Sequence, residues 1–211
     1  MKLFLSSSAS YTLDLILPLL PKNPTELKVA FITTAADPYP EKSWMYADRD
    51  KLVAMGFTVA DYDLKGKKVD ILRKDLSAYQ IIFVSGGNTF YLLNEVRKSG
   101  FDIVIKELVE KDIIYIGSSA GSCLVCPTIE HLLTFDDAKI VPELTDYTGL
   151  GFVNQLILPH YGLAKYADRQ ASVLEKYGNK ILPLRDDQAA IVNGSELEVV
   201  TNKESHATEN H

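Results

Sequence analysis

The sequence predicts an α/β fold, a three-layer, mostly parallel flavodoxin-like sheet with helices on both faces and an antiparallel edge at its C-terminal end. Three observations carry this. Short apolar, β-branched runs alternate with helical stretches along most of the chain, the rhythm of βαβ units. Runs such as Ile81-Ile82-Phe83-Val84 and Ile113-Ile114-Tyr115-Ile116 are apolar at every position, as strands covered on both faces are. From Ile181 onward the pattern changes to short strands with turns at Asp186-Asp187 and at Asn193-Gly194, a hairpin dipeptide.

Taken in order, the predicted strands are Lys2–Leu5, Lys28–Thr33, Thr58–Tyr62, Ile81–Ser85, Ile113–Gly117 and Gln155–Leu158. Between them lie predicted helices over Tyr11–Leu20, Lys42–Met55, Asn88–Lys98 and Asp102–Glu110, and one opening at Ser119. Gly56 and Gly100 stand where helices stop. In a chain of 211 residues, 46% hydrophobic and 24% charged, one α/β domain spans residues 1–201, followed by a polar, aperiodic tail over 202–211.

A formal charge of −6, from 28 acidic and 22 basic side chains, supplies no field to gather phosphates or anionic lipid, so nucleic-acid and membrane partners are not expected. The opening Met1-Lys2-Leu3-Phe4-Leu5 falls short of the roughly 7–15 apolar residues of a secretory h-region, and Leu13–Leu20 is too short to span a bilayer. The expected location is cytoplasmic. Cys123 and Cys126 have redox or zinc-site spacing, but an apolar context and the lack of a second Cys/His pair mark both as core residues. No metal or cofactor is expected, and the chain is compatible with a homodimer.

In open parallel sheets, ligands bind beyond the carboxyl ends of the strands. The exit loops Ser6–Ser10, Thr33–Tyr39, Ser85–Thr89, Gly117–Gly121 and Pro159–Gly162 are therefore the candidates for chemistry. In the fourth of these, Gly117-Ser118-Ser119-Ala120-Gly121 is a G-x-S-x-G motif in strand–turn–helix context, which makes Ser119 the candidate nucleophile. A serine hydroxyl needs a base. His206 and His211 lie in the polar tail and His131 belongs to a helix end or the surface, whereas His160 leaves the sixth strand on the functional rim.

For the acid that orients the imidazole, Asp137 with Asp136 as its alternative gives the order Ser…Asp…His, while Asp186 and Asp187 compete from a later turn. The backbone N–H groups of Ala120 and of Gly86 or Gly87 are the expected oxyanion donors. Tyr39, Trp44 and Tyr46 either pack beside a helix start, line the site or form a partner surface.

With these segments in hand, the chain resembles the peptidase E family of serine peptidases, which includes aspartyl dipeptidases and, more distantly, cyanophycinases. The resemblance rests on Ser85-Gly86-Gly87-Asn88-Thr89-Phe90, Gly117-Ser118-Ser119-Ala120-Gly121, Cys126-Pro127-Thr128-Ile129 and Pro159-His160-Tyr161, in family order over roughly residues 80 to 162. It implies a fold like that of class I glutamine amidotransferases, a serine nucleophile at Ser119, a histidine base at His160, and oxyanion donors at the glycine pair and Ala120. It also implies hydrolysis of a small peptide or isopeptide bond, with Asn88 and Glu130 at substrate-binding positions. Two departures stand out. Where the aspartyl dipeptidases carry an arginine that reads the acidic side chain, this chain has Glu130, which would repel an aspartate. The longer interval from Ser119 to His160 leaves the family's acid near Thr134, Asp136 or Asp137. The alternatives are an esterase or amidase with the same elbow, or a flavodoxin-like binding module without chemistry.

Overall fold

A computed structural model describes residues 1–203. The strands are β1 (Lys2–Ser6), β2 (Lys28–Ile32), β3 (Thr58–Tyr62), β4 (Ile81–Val84), β5 (Ile114–Ser118), β6 (Leu156–Leu158), β7 (Ile181–Pro183), β8 (Gln188–Asn193) and β9 (Glu196–Thr201). The helices are α1 (Ala9–Thr12), α2 (Ser43–Ala54), α3 (Val69–Leu76), α4 (Thr89–Ser99), α5 (Phe101–Val109), α6 (Ala120–Cys123) and α7 (Ala167–Tyr177).

The main sheet has seven strands in the order β3-β2-β4-β5-β1-β8-β9. From β3 to β1 the pairs are parallel, and β8 and β9 add an antiparallel edge. Counted from β2, this is the 2-1-3-4-5 order of flavodoxin-like sheets, with the N-terminal strand in fifth place. Period-2 alternation divides the core between two layers. Leu3, Leu5, Ala30, Ile32, Ile82, Val84 and Tyr115 face α3 to α6. Phe4, Val29, Phe31, Ile81, Phe83, Ile114 and Ile116 face the other layer, which contains α1 and α2.

The structure departs from the sequence-based expectations at several elements. The predicted sixth strand does form, as β6, but it lies outside the main sheet and pairs in parallel only with β7. The stretch predicted as a helix over Tyr11–Leu20 is the short α1 followed by 3₁₀ turns over Leu13–Leu19, since Pro18 has no N–H for an α-helical bond. Both α3 and α7 escaped prediction. The buried positions of α3 are Leu72 and Leu76, and those of α7 are Gln170 and Val173, so each helix has only a narrow apolar stripe. Asn202, placed in the predicted tail, is tied down by bonds to the Asp187 and Tyr11 carbonyls. His206, His211 and the remainder of that tail from residue 204 lie outside the described residues. Gly100 ends α4 in the left-handed conformation its position predicts. Among the described residues no helix is long and apolar enough to cross a membrane.

The turn after β5 is held from below. The fully buried Tyr115 donates its hydroxyl to the Gly121 carbonyl at 2.7 Å, and Ser122 Oγ donates to the carbonyls of Ser6 and Gly117 at 2.7 and 2.8 Å. Gly121 packs so tightly under β4 that a Cβ there would lie 2.0 Å from the Val84 carbonyl oxygen. Tyr115→Phe removes the donor and leaves a buried carbonyl unpaired. The variant is expected to lose about 1–3 kcal/mol of unfolding free energy in urea titration while remaining folded.

Candidate active site

Ser119 sits at the tip of the turn between β5 and α6 with φ 49° and ψ −108°, a strained conformation for a residue with a side chain. The strain is maintained by the Ser119 N–H, which bonds the Ser6 carbonyl at 3.0 Å, and by the bonds beneath Gly121. It lifts the hydroxyl above the carboxyl edge of the sheet. His160 leaves β6 with φ 58°, also left-handed, and its Nε2 lies 2.9 Å from Ser119 Oγ.

The position of the imidazole depends on how β6 is held. Cys126 Sγ accepts from the Ile157 N–H at 3.2 Å, and Cys123 Sγ donates to the Ile157 carbonyl at 3.5 Å. His131 Nε2 reaches the same carbonyl at 2.8 Å. Of the two places expected for His131, a helix end or the surface, it takes a 3₁₀ turn, Glu130–Leu132, and is buried there; burial lowers its pKa so that the neutral ring donates from Nε2. Both free thiols lie in the core, as their context predicted. Past β6, the His160 N–H donates to Ser7 Oγ at 2.7 Å and its carbonyl accepts from Gln170 Nε2 at 2.7 Å.

The imidazole Nδ1 is met by Asp186 Oδ1 at 2.7 Å, and Ser7 Oγ donates to the same oxygen at 2.7 Å. Burial pushes the Asp186 carboxyl up, but the bonds from His160 and Ser7, with the charges of His160 and Lys165, outweigh it. The net result lies below the usual carboxylate range. This corrects the expected choice of acid. Asp137 Oδ1 instead caps a 3₁₀ turn by accepting from the Lys139 N–H at 2.9 Å. Asp136 Oδ2 accepts from Thr89 N and Oγ1 at 2.8 and 2.6 Å. Asp187 pairs with Arg185 at 3.1 Å.

Gly86 backs onto Ser119, since a Cβ placed on it would lie 3.3 Å from Ser119 Cβ. Gly87, at φ 148°, presses so closely on the Ala35 carbonyl that only glycine fits. The Ala120 N–H belongs to the first turn of α6, where helix geometry leaves such donors free of intrahelical partners. The structure therefore gathers Ser119, His160, Gly86, Gly87 and Ala120 around one cavity of about 390 Å³.

Two expected substrate contacts fall outside that cavity. Asn88 caps α4 by accepting from the Tyr91 N–H and donates to the Asp137 carbonyl, so its amide is already committed. Glu130 is exposed and lies 3.8 Å from Lys176. Tyr39 and Trp44, in edge-to-face contact, do line the cavity, whereas Tyr46 is exposed elsewhere.

Residues 3–200 match the profile of Peptidase family S51. The chain belongs to this family. An uncharacterized peptidase of Listeria monocytogenes is 30% identical over 80% of this chain and 83% of its own length. One from Pasteurella multocida is 29% identical over 91% and 93%. Peptidase E of Salmonella arizonae is 33% identical over a shorter stretch, 63% of this chain and 52% of that protein. A crystal structure from Listeria monocytogenes EGD-e, provisionally assigned as a Peptidase E protein, superposes with a TM-score of 0.90 at 28% identity, covering 96% and 98% of the two chains. A peptidase from an acI-B1 actinobacterium shares the fold at a TM-score of 0.70 and 16% identity over 95% and 87%. Membership in S51 makes this protein a serine-type peptidase with a Peptidase E-like fold.

In this S51 chain a further carboxylate lines the cavity beside Ser119, and neither motif nor spacing pointed to it. Asp48, on α2, is 3% exposed and lines the cavity, with Oδ1 accepting from the Ser10 N–H at 2.7 Å. Burial raises its pKa to about 6, against the partial relief of hydrogen bonds from Ser118 and Ser10. Because the folded value exceeds the unfolded one, the charged form penalises the fold above about pH 6, and the penalty disappears as pH falls toward 4. Asp48→Asn keeps an acceptor for Ser10 and carries no charge. It should gain about 1–3 kcal/mol of unfolding free energy at pH 8, and that gain should vanish in denaturant titrations near pH 4.

Proposed function

We propose that this peptidase hydrolyses a small peptide or isopeptide bond through an acyl-enzyme on Ser119, with His160 as general base and Asp186 as the acid that orients it. The observation that carries the reading is the continuous chain Ser119 Oγ, His160 Nε2, His160 Nδ1, Asp186 Oδ1, with links of 2.9 and 2.7 Å. An ionised Asp186 accepts the Nδ1 proton, which leaves the Nε2 lone pair facing the serine hydroxyl.

In the proposed reaction Ser119 Oγ attacks the carbonyl carbon while its proton passes to Nε2. The carbonyl oxygen becomes an oxyanion facing the N–H groups of Ala120 and of Gly86 or Gly87. As the C–N bond breaks, the leaving amine takes the proton from Nε2. Water then gives a proton to Nε2 and adds its oxygen to the acyl carbon; the Ser119 ester bond breaks and Oγ recovers the proton. The balance requires no metal or redox cofactor.

A cavity of about 390 Å³ is near the small end of the range for ligand pockets, which favours a short peptide over a folded chain. Two unpaired thiols suit the reducing cytoplasm.

Ser119→Ala should abolish turnover of short peptides and labelling by a fluorophosphonate, with an unchanged unfolding curve; full turnover in a clean preparation would reject the nucleophile. Asp186→Asn, which destabilises the required imidazole tautomer, should lower kcat by about 10⁴-fold, the loss seen for the corresponding exchange in chymotrypsin-like proteases. Asp137→Asn should leave kcat within a few-fold, measured by steady-state kinetics.

A further inference from the structure

The side chains beside Ser119 indicate which substrate the cavity accepts, an inference that rests on the peptidase reading above. Two carboxylates outside the Ser119–His160–Asp186 chain line it, Asp48 and Asp136. Among the described residues no lysine or arginine forms an ion pair with either. The cationic side chain on the wall is Lys165, whose Nζ is drawn 4.8 Å over the Tyr166 ring.

The two carboxylates are placed differently. Asp48 is sealed beneath the site and hydrogen-bonded by Ser10 and Ser118. Asp136 is more accessible. Its Oδ2 is fixed by both donors of Thr89 at the N-terminus of α4, and no described residue bonds Oδ1. The helix end holds the group in place and compensates only part of its charge, about half an elementary unit for a full helix dipole. Burial, partly offset by the Thr89 bonds, raises its pKa, so the free protein bears a cost that a bound cation would remove. The adjoining wall of Cys123, Leu132 and Phe135 is apolar. An apolar wall ending in an anchored carboxylate matches an alkyl stem with a cationic head.

We infer that Asp136 selects peptides carrying a cationic side chain, lysine, ornithine or arginine, on a residue next to the scissile bond. An acidic side chain beside Asp136 would face its carboxylate, so it is disfavoured by like charge. Glu130, exposed outside the cavity, is not placed to repel such a side chain, whereas Asp136 lines the cavity.

The test measures binding separately from turnover. Ser119→Ala protein is titrated calorimetrically with Lys-Ala, Ala-Lys, norleucyl-Ala, Nε-acetyl-Lys-Ala and Asp-Ala, all with free N-termini, so the α-amine is constant across the series. A lysine peptide should bind about tenfold or more tightly than the norleucine and acetyl-lysine peptides, with Asp-Ala weakest. Adding Asp136→Asn should remove that advantage. Equal binding of lysine and norleucine peptides overturns the inference, as does an advantage that survives Asp136→Asn. A uniform weakening of every peptide by Asp136→Asn also overturns it, since Asp136 would then read the α-amine. Turnover by the unmodified protein separates the two readings. Selective lysine binding without hydrolysis of any peptide removes the hydrolytic reading alone, whereas faster hydrolysis of neutral or acidic peptides removes this inference alone.

Discussion

The site depends on holding a strand that the main sheet does not hold. Six of the seven main-sheet strands are fixed by partners on either side or by the β8–β9 hairpin, but β6, which delivers His160, has only the three-residue β7 beside it. Its register relative to Ser119 is instead set by side chains, with Cys126, Cys123 and His131 all engaging the backbone of Ile157. These three residues lie on the segment that follows the nucleophile. The same stretch of chain that starts at Ser119 thereby fixes the position of its partner imidazole three residues beyond Ile157. A shift of β6 by one residue would reverse its side chains and turn the imidazole away.

Above that anchor the site consists of interlocked constraints. Ser7 receives the His160 N–H and donates to Asp186, so one hydroxyl joins β1, the exit of β6 and the turn before β8. Both Ser119 and His160 hold positive φ angles, and neither strain would persist without the bonds from Ser6, Ser7 and Gln170 that determine them. The close packing at Gly121 and Gly86 brings the turn after β5 against β4 and its exit, and that at Gly87 brings the exit of β4 against the turn after β2. A rigid frame of this kind suits acyl transfer, in which donors must already face the developing charge.

Local stability is given up in the cavity. Asp48 is nearly sealed from solvent and Asp136 is partly so, with burial raising the pKa of both. Carboxylates in such places disfavour the fold when charged. The inferred binding of a cationic side chain would give Asp136 a partner for its charge, whereas Asp48 keeps only its bonds from Ser10 and Ser118.

Local patterning was enough to show the layered α/β fold, the nucleophile turn and the terminal hairpin, because each is written in contiguous residues. Strands covered on both faces read as unbroken apolar runs, G-x-S-x-G reads in place between strand and helix, and Asn193-Gly194 reads as a tight turn. The acid partner was not legible. Asp136, Asp137, Asp186 and Asp187 are alike as two adjacent pairs, and chain order favoured the earlier one. What separated them was the path of the chain through α7 and β7, which returns Asp186 to the imidazole while Thr89 and Lys139 engage the earlier pair. Asp48, 71 positions before the nucleophile by the numbering, carried no local signal at all. Sequence alone determined the strands of the parallel sheet, most of its helices and where the candidate nucleophile stands, since those follow from interactions between near neighbours. Only the tertiary structure decided which carboxylate meets the imidazole and which ones line the cavity, since those depend on segments that meet only when the sheet is assembled.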